Sequence, residues 1–221
     1  MTSEEATEQK LARAGRILTA LEQAYPEAQT ELRHENPFQL LVATILSAQA
    51  TDRSVNLATP GLFARFPTPS QLAGAQVAEV AELIRHIGLY RNKAAHLVAM
   101  AKILMERFAG QVPADPELLM TLPGVGWKTA TVVAGAGFGV PGIAVDTHAT
   151  RLAHRLGLSQ KTDPRKIGSD LQALFPQQSW VFVHHALVLH GRYVCLARKP
   201  RCQSCVLYDY CCTKGEENLT G

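Results

Sequence analysis

Cysteine is absent from the first 194 residues of this 221-residue chain, and all five cysteines fall between positions 195 and 212. Disulfides are rare in the cytosol, so cysteines crowded in this way suggest a metal site. Long apolar runs are also missing. None approaches the roughly 20 residues that a membrane span needs, which argues against an integral membrane protein. The opening stretch MTSEEATEQK is acidic and polar, unlike a signal peptide, and an intracellular protein is expected. Low-complexity tracts and internal repeats are absent, and so are short alternating runs between turn signals, so essentially no sheet is expected.

What remains is a helical protein with a basic body. Apolar residues make up 47 % of the chain, enough to bury a good core in one or two domains. The net charge is only +3, but Glu4, Glu5 and Glu8 at one end and Glu216 and Glu217 at the other leave the stretch between them more strongly basic. A basic body with acidic ends suits a polyanionic partner.

Helical periodicity runs nearly throughout. Residues 11–25 place Leu11, Ala14, Ile17, Leu18 and Leu21 on one face, and Pro26 stops that helix. Asn36-Pro37 opens the next, with Gln39 completing a capping pattern. Further helices fit 52–66, 76–87 and 92–108, with Gly88 and Gly110 as stops. Asp115-Pro116 starts a short helix ending at Leu122, and Lys128 to Phe138 forms another. Asp146, Asp163 and Ser179 read as caps of three more. Modest helices joined by short linkers indicate a packed all-α fold, not a coiled coil.

The stretch LPGVGWKTA (122–130) holds the first chemistry. Residues 115–138 read as helix, turn, helix, and the turn is Pro-Gly-Val-Gly. Glycines allow positive φ and close backbone approach. The amides of Val125, Gly126 and Trp127 are expected to point outward at a helix N-terminus and bind a phosphate. A Walker loop is excluded, because Trp127 separates the glycine from the lysine. Gly137, Gly139 and Gly142 match GxGxxG, but a helical run precedes them and Pro141 falls where the next helix should start, so dinucleotide binding is not indicated. Lys128 stands in the first turn of its helix. There the positive end of the dipole disfavours the ammonium and favours the neutral amine that a nucleophile needs, with partial burial expected to supply the rest. A surface lysine that contacts phosphate is the plainer alternative.

Asp146 follows an apolar run and precedes a helix of residues 147–156. It is at least an N-cap. An aspartate near an attacking amine also serves to take its proton or to stabilise a developing sugar cation, provided that the two do not form a tight salt bridge beforehand.

Cys195, Cys202, Cys205 and Cys211 are spaced C-x6-C-x2-C-x5-C. Four thiolates suit zinc or an iron–sulfur cluster. Structural zinc usually uses two close pairs and only one C-x2-C exists here, so the wider spacing favours a [4Fe–4S] cluster. Spacing leaves open whether Cys211 or Cys212 is the fourth ligand. Arg192, Arg198, Lys199 and Arg201 surround the first two cysteines without an intervening acid, which reads as a phosphate-contacting surface. His184, His185 and His190 lie on one apolar helix and read as packing residues, not as a second metal site.

Taken together, SAQATD (47–52), GLYRNKA (88–94), LPGVGWKTA (122–130), VDTH (145–148), LHGRYVC (189–195), ARKPRC (197–202) and the cysteine spacing resemble the endonuclease III family, bifunctional DNA glycosylases and abasic-site lyases of the helix-hairpin-helix superfamily. The resemblance runs from about residue 30 to 211. It implies a six-helix barrel domain over residues 31–143 with the hairpin at about 115–138. It also implies a discontinuous iron–sulfur domain from residues 1–30 and 144–221, with a DNA-binding cleft between the two domains. By match to the family's motifs, Lys128 is the nucleophile and Asp146 the catalytic carboxylate. Gln49 and Leu89 fill the gap left by a flipped nucleotide, Gly124, Val125, Gly126 and Trp127 grip the backbone, and Cys211 is the fourth cluster ligand. The implied substrate is double-stranded DNA with oxidised pyrimidines, such as thymine glycol, or abasic sites. The implied enzyme is a cytoplasmic monomer, nucleoid-associated in a prokaryote.

One position departs from the pattern: the family usually has arginine where Trp127 stands. Three rival readings differ in chemistry. The adenine-mismatch glycosylase branch shares the fold, aspartate and cluster, but typically lacks the hairpin lysine and adds a C-terminal domain. A non-enzymatic DNA-binding module would use the hairpin only as a grip. An electron-transfer ferredoxin needs far less chain around its cluster.

Overall fold

The computed structural model describes residues 3–214, with side chains from residue 8 onward. The acidic residues Glu4, Glu5, Glu216 and Glu217 therefore lie outside the described side chains. Every regular element among the described residues is helical. In chain order these are α1 (Ser3–Ala24), α2 (Pro37–Ser47), α3 (Asp52–Arg65), α4 (Pro69–Ala73), α5 (Val77–Leu83), α6 (Tyr90–Phe108), α7 (Pro116–Leu119), α8 (Trp127–Phe138), α9 (Thr147–Arg155), α10 (Pro164–Leu174) and α11 (Trp180–Tyr193). No helix among them is long and apolar enough to cross a membrane. The chain divides into two compact units, Thr30–Val140 and Met1–Gln29 with Pro141–Gly221.

In the unit Thr30–Val140, α2 is the centre. Every residue from Phe38 to Leu46 is buried, as expected of a helix apolar on all sides. Helices α3, α6 and α8 pack on it. Leu40, Leu41, Leu46, Leu97, Met100 and Leu104 are fully buried, each worth roughly 1.5–3 kcal/mol of transfer free energy. The α8 backbone comes close to α2 at Gly137, where a Cβ would lie 3.3 Å from Leu40 Cδ2. Asn36 caps α2 by accepting from the Gln39 amide at 3.0 Å, and Gln39 Oε1 accepts in return from the Glu35 amide at 2.9 Å.

The other unit packs α9 on α11 and on α10, and α1 on α10 and α11. Its core includes Ile17, Leu21, Ile143, Leu152, Ile167, Leu171, Val183 and Leu187. Only glycine fits at 191 in α11, because a Cβ there would fall 2.8 Å from His148 Cβ and 3.2 Å from Leu152 Cδ1.

Three sequence expectations need correction. Helix α1 begins well before residue 11, at Ser3. Ser179 does not cap α11: its hydroxyl donates to the Pro176 carbonyl at 2.8 Å, and a 3₁₀ turn, Gln177–Ser179, leads into the helix. The short α4 went unforeseen, although Thr68 caps it by accepting from the Gln71 amide and Pro69 occupies its first turn.

Candidate active site and iron–sulfur centre

The hairpin is built where α7 ends and α8 begins. Gly124 makes the turn at φ +79°, and a Cβ there would meet His96 Cβ at 3.1 Å and Ile45 Cγ2 at 3.3 Å. Glycine is thus required twice, for its conformation and for close seating on α6 and α2. Gly126 is the N-cap of α8 and supplies no side chain to its amides, whereas Asn36, Thr51, Thr68, Asp115, Asp146 and Asp163 each cap a helix with an oxygen. A Cβ at Gly126 would meet nothing within 4 Å. Lys128 is exposed one residue into that helix, beside half-buried Trp127.

Two details of the hairpin differ from the sequence expectation. The Val125 amide does not point outward; it donates to the Leu122 carbonyl at 3.1 Å, and the side chain is buried. The turn spends this amide on its own closure. Lys128 is exposed, not partly buried.

Asp146 is a true N-cap. Its Oδ1 accepts from the Ala149 amide at 2.8 Å, which fixes the carboxylate at the positive end of α9. The segment before it is held by His184, whose Nδ1–H donates to the Ala144 carbonyl at 2.7 Å. The histidines are packing residues, as their spacing suggested: His184, His185 and His190 are all buried. Burial, then the neighbouring His184 and Arg192, push His185 down to about 3.

Gln49 and Leu89 are both exposed and both left-handed, at φ 55° and 60°. Among the described residues only Ala109 and Lys199 share that conformation without being glycine. Arg198, Lys199 and Arg201 are exposed on the cysteine loop, and Arg192 is half-buried in the last turn of α11.

The cysteine loop is wound by three successive turns. The amides of Cys205, Tyr208 and Cys211 donate to the carbonyls of Cys202, Cys205 and Tyr208. Burial, opposed by a backbone hydrogen bond from Leu207 and helped by Cys195, Cys202 and Cys211, pushes the Cys205 thiol up to about 11. Cys212 takes no part in that group. Its sulfur lies 3.2 Å from Arg13 Nη1, and a Cβ on Gly157 would come within 2.8 Å of it. Cys195, Cys202 and Cys211 stand near enough to act on Cys205, and four thiols brought together in this way suit an iron–sulfur cluster.

Sequence reasoning missed the residues that secure this loop. Arg151 and Arg155, one helical turn apart on α9, both reach it. Arg151 donates to the carbonyls of Cys195 and Gly191, and Arg155 to Cys195 Sγ and the Leu196 carbonyl. His190 Nε2 lies 3.4 Å from Cys205 Sγ, and its Nδ1 2.9 Å from the Tyr25 hydroxyl. The i, i+4 arginine pair was a readable signal for a shared face; the Tyr25 contact, from a distant helix end, was not.

Comparison with known proteins agrees with this geometry. Residues 42–177 match the family model described as HhH-GPD superfamily base excision DNA repair protein, and residues 195–211 match the iron-sulfur binding domain of endonuclease III. Endonuclease III of Treponema pallidum is 48% identical over 196 residues, which is 89% of this chain and 93% of that protein. A solved non-covalent endonuclease III–DNA complex superposes with a TM-score of 0.85 at 40% identity, covering 96% of each chain. A trapped endonuclease III–DNA covalent intermediate superposes with a TM-score of 0.84, also at 40% identity and 96% of each chain. The protein is a DNA-binding enzyme, a DNA glycosylase and abasic-site lyase, and its cofactor is a [4Fe–4S] cluster that Cys195, Cys202, Cys205 and Cys211 fit. The chain belongs to the endonuclease III family, within the HhH-GPD superfamily of base excision DNA repair proteins.

Proposed function

We propose that the protein removes oxidised pyrimidines, thymine glycol among them, from double-stranded DNA and then cuts the strand at the resulting abasic site. The observation that carries this reading is the glycine turn that leads into α8, with Lys128 exposed in the helix's first turn. The amides of Gly126 and Trp127 and the turn at Gly124 grip a backbone phosphate, while the buried side chain of Val125 anchors the turn from below. Arg192, Arg198, Lys199 and Arg201 add phosphate contacts on the cysteine loop. Gln49 and Leu89 enter the space that the extruded nucleotide leaves.

In the reaction, neutral Lys128 Nζ attacks C1′, the glycosidic C1′–N bond breaks, and the base leaves with its electron pair and takes up a proton. Asp146 takes the proton released by the amine or stabilises positive charge developing on the sugar. The remaining nitrogen lone pair then opens the sugar ring, O4′ takes up a proton, and a protonated Schiff base is left. Its iminium acidifies C2′–H. Removal of that proton forms the C2′–C3′ double bond and expels the 3′ phosphate, and water then frees the lysine. The relative captured as a covalent DNA intermediate supports a covalent course. Cys195, Cys202, Cys205 and Cys211 hold the cluster, which stiffens the basic loop. The protein acts as a cytoplasmic monomer on the nucleoid of a prokaryotic host.

The test is borohydride trapping on a duplex with one thymine glycol. The protein should form a covalent adduct and cleave the strand. Lys128→Ala should do neither, a loss of at least about 10³-fold given what an activated nucleophile supplies, yet should still bind the lesion duplex. Adduct formation by Lys128→Ala would assign the attack to another amine.

A further inference from the structure

Lys93 is the one lysine among the described residues that is buried, at 5 % exposure. It lies in the first turn of α6, and its ammonium donates to the Leu46 carbonyl at 2.8 Å and to the Ala48 carbonyl at 2.6 Å. Those carbonyls belong to the C-terminal end of α2, where helix geometry leaves acceptors without intrahelical partners and the dipole favours a cation. Burial pushes Lys93 below the usual lysine range, so the charge is held at a cost that an apolar side chain would not incur.

What the charge secures is visible on either side. Ala48 is followed at once by Gln49, left-handed at φ 55°. The Lys93 amide donates at 3.0 Å to the carbonyl of Leu89, left-handed at φ 60° and the N-cap of α6 without any side-chain cap. The two loops also meet directly, since a Cβ on Gly88 would lie 3.9 Å from the Gln49 carbonyl oxygen. Two exposed non-glycine residues thus hold a conformation that L side chains disfavour, and such conformations persist only where the surroundings over-determine them. Lys93 touches the backbone on both sides, through its amide to Leu89 and through its side chain to the turn before Gln49.

We propose that Lys93 is a positioning residue that locks the Gln49 and Leu89 loops in register, so that both side chains enter the duplex as one preformed wedge. The proposal rests on the reading of Gln49 and Leu89 as the residues that fill the emptied space. Lys93 itself touches no DNA. Its ammonium is occupied by two carbonyls and takes no part in the attack on the sugar.

The experiment compares the full-length cluster-containing protein with Lys93→Met, which keeps the stem and loses the donors, and with the double variant Gln49→Ala/Leu89→Ala. Lys93→Gln, which keeps an N–H donor, replaces the methionine variant if that one does not fold. Single-turnover rates are measured on a duplex abasic site and on a single-stranded abasic site, where no base pair must be opened. Duplex opening is followed separately by the fluorescence of 2-aminopurine beside the lesion. Lys93→Met should slow duplex cleavage at least tenfold and suppress the fluorescence rise, while single-stranded cleavage changes less than twofold. In the triple variant the lysine change should add less than twofold to the duplex defect. Equal slowing on both substrates would show a merely structural lysine, and unchanged duplex opening would show that the clamp is not needed; either overturns the proposal. If Gln49→Ala/Leu89→Ala itself leaves duplex opening intact, the wedge reading fails first, which separates that failure from a failure of the lysine.

Discussion

Arg155 donates from Nη1 to the sulfur of Cys195 at 3.1 Å, from the last turn of the helix that Asp146 caps. The same nitrogen reaches the Leu196 carbonyl at 2.8 Å, so one guanidinium fixes both the first cysteine and the start of the basic loop. A hydrogen bond to a ligating thiolate orients it and spreads its charge. Arg155→Ala should therefore accelerate iron loss by about 10-fold or more, followed by absorbance and iron content. Cys211→Ser should lose the cluster altogether, whereas Cys212→Ser, which disturbs only the Arg13 and Gly157 contacts, should keep it. Full iron retention in Arg155→Ala would reduce that contact to packing.

The helices and most of their caps were legible because their signals are local. Asn36, Asp115, Asp146 and Asp163 each precede a run of helical residues and each accepts a backbone amide in the structure. The cysteine grouping was legible because its spacing is dense and its residue type is rare elsewhere in the chain. Long-range features were not. Gly88 reads as the stop of the helix over 76–87, but the left-handed residue there is Leu89, whose carbonyl accepts from the Lys93 amide. Val125 reads as an outward amide, but the hairpin closes on it. Nothing local marks Arg155, whose partner Cys195 lies 40 residues on.

Asp146→Asn separates the cap from the chemistry. Asparagine caps about as well as aspartate, and its oxygen can still accept from the Ala149 amide, so the melting temperature should barely move. Base release from a thymine glycol duplex should fall by about 10²-fold or more if the carboxylate handles a proton. Cleavage of a preformed abasic site, where no base must leave, should fall less. Equal losses on the two substrates would place Asp146 in the lyase step.

The buried histidine pair gives a pH dependence with a definite sign. His185 is held neutral in the folded state down to about 3, chiefly by burial and then by His184 and Arg192. The unfolded chain binds its proton near the ordinary value of about 6.5. Between those limits the unfolded state carries more protons, so stability is complete above about pH 6.5 and falls as the pH drops, by about 1.4 kcal/mol per pH unit for this one group. His185→Phe should flatten that part of the stability curve between pH 6.5 and 4.5. Denaturant melts of both proteins across the range measure it, and parallel curves would assign the acid sensitivity to other groups.

Trp127 stands at the first position of α8, half-buried, where the family's usual arginine would put a cation beside Lys128. A neighbouring cation favours a neutral amine, and a guanidinium also binds phosphate. Tryptophan supplies neither, so Trp127→Arg should raise the single-turnover rate on abasic DNA at neutral pH. One added phosphate contact should also steepen the slope of log affinity against log salt by about 0.9. The structure allows a competing outcome, because the ring is only partly exposed. If its buried portion packs against the hairpin, replacing it with a charge costs about 1–3 kcal/mol and loosens the turn that Gly124 seats on His96 and Ile45. The two cases part in a paired measurement of rate and melting temperature. A faster lyase with an unchanged melt assigns the position to electrostatics. A lower melt without a rate gain makes the tryptophan a packing residue of the hairpin, and its substitution for arginine a structural choice.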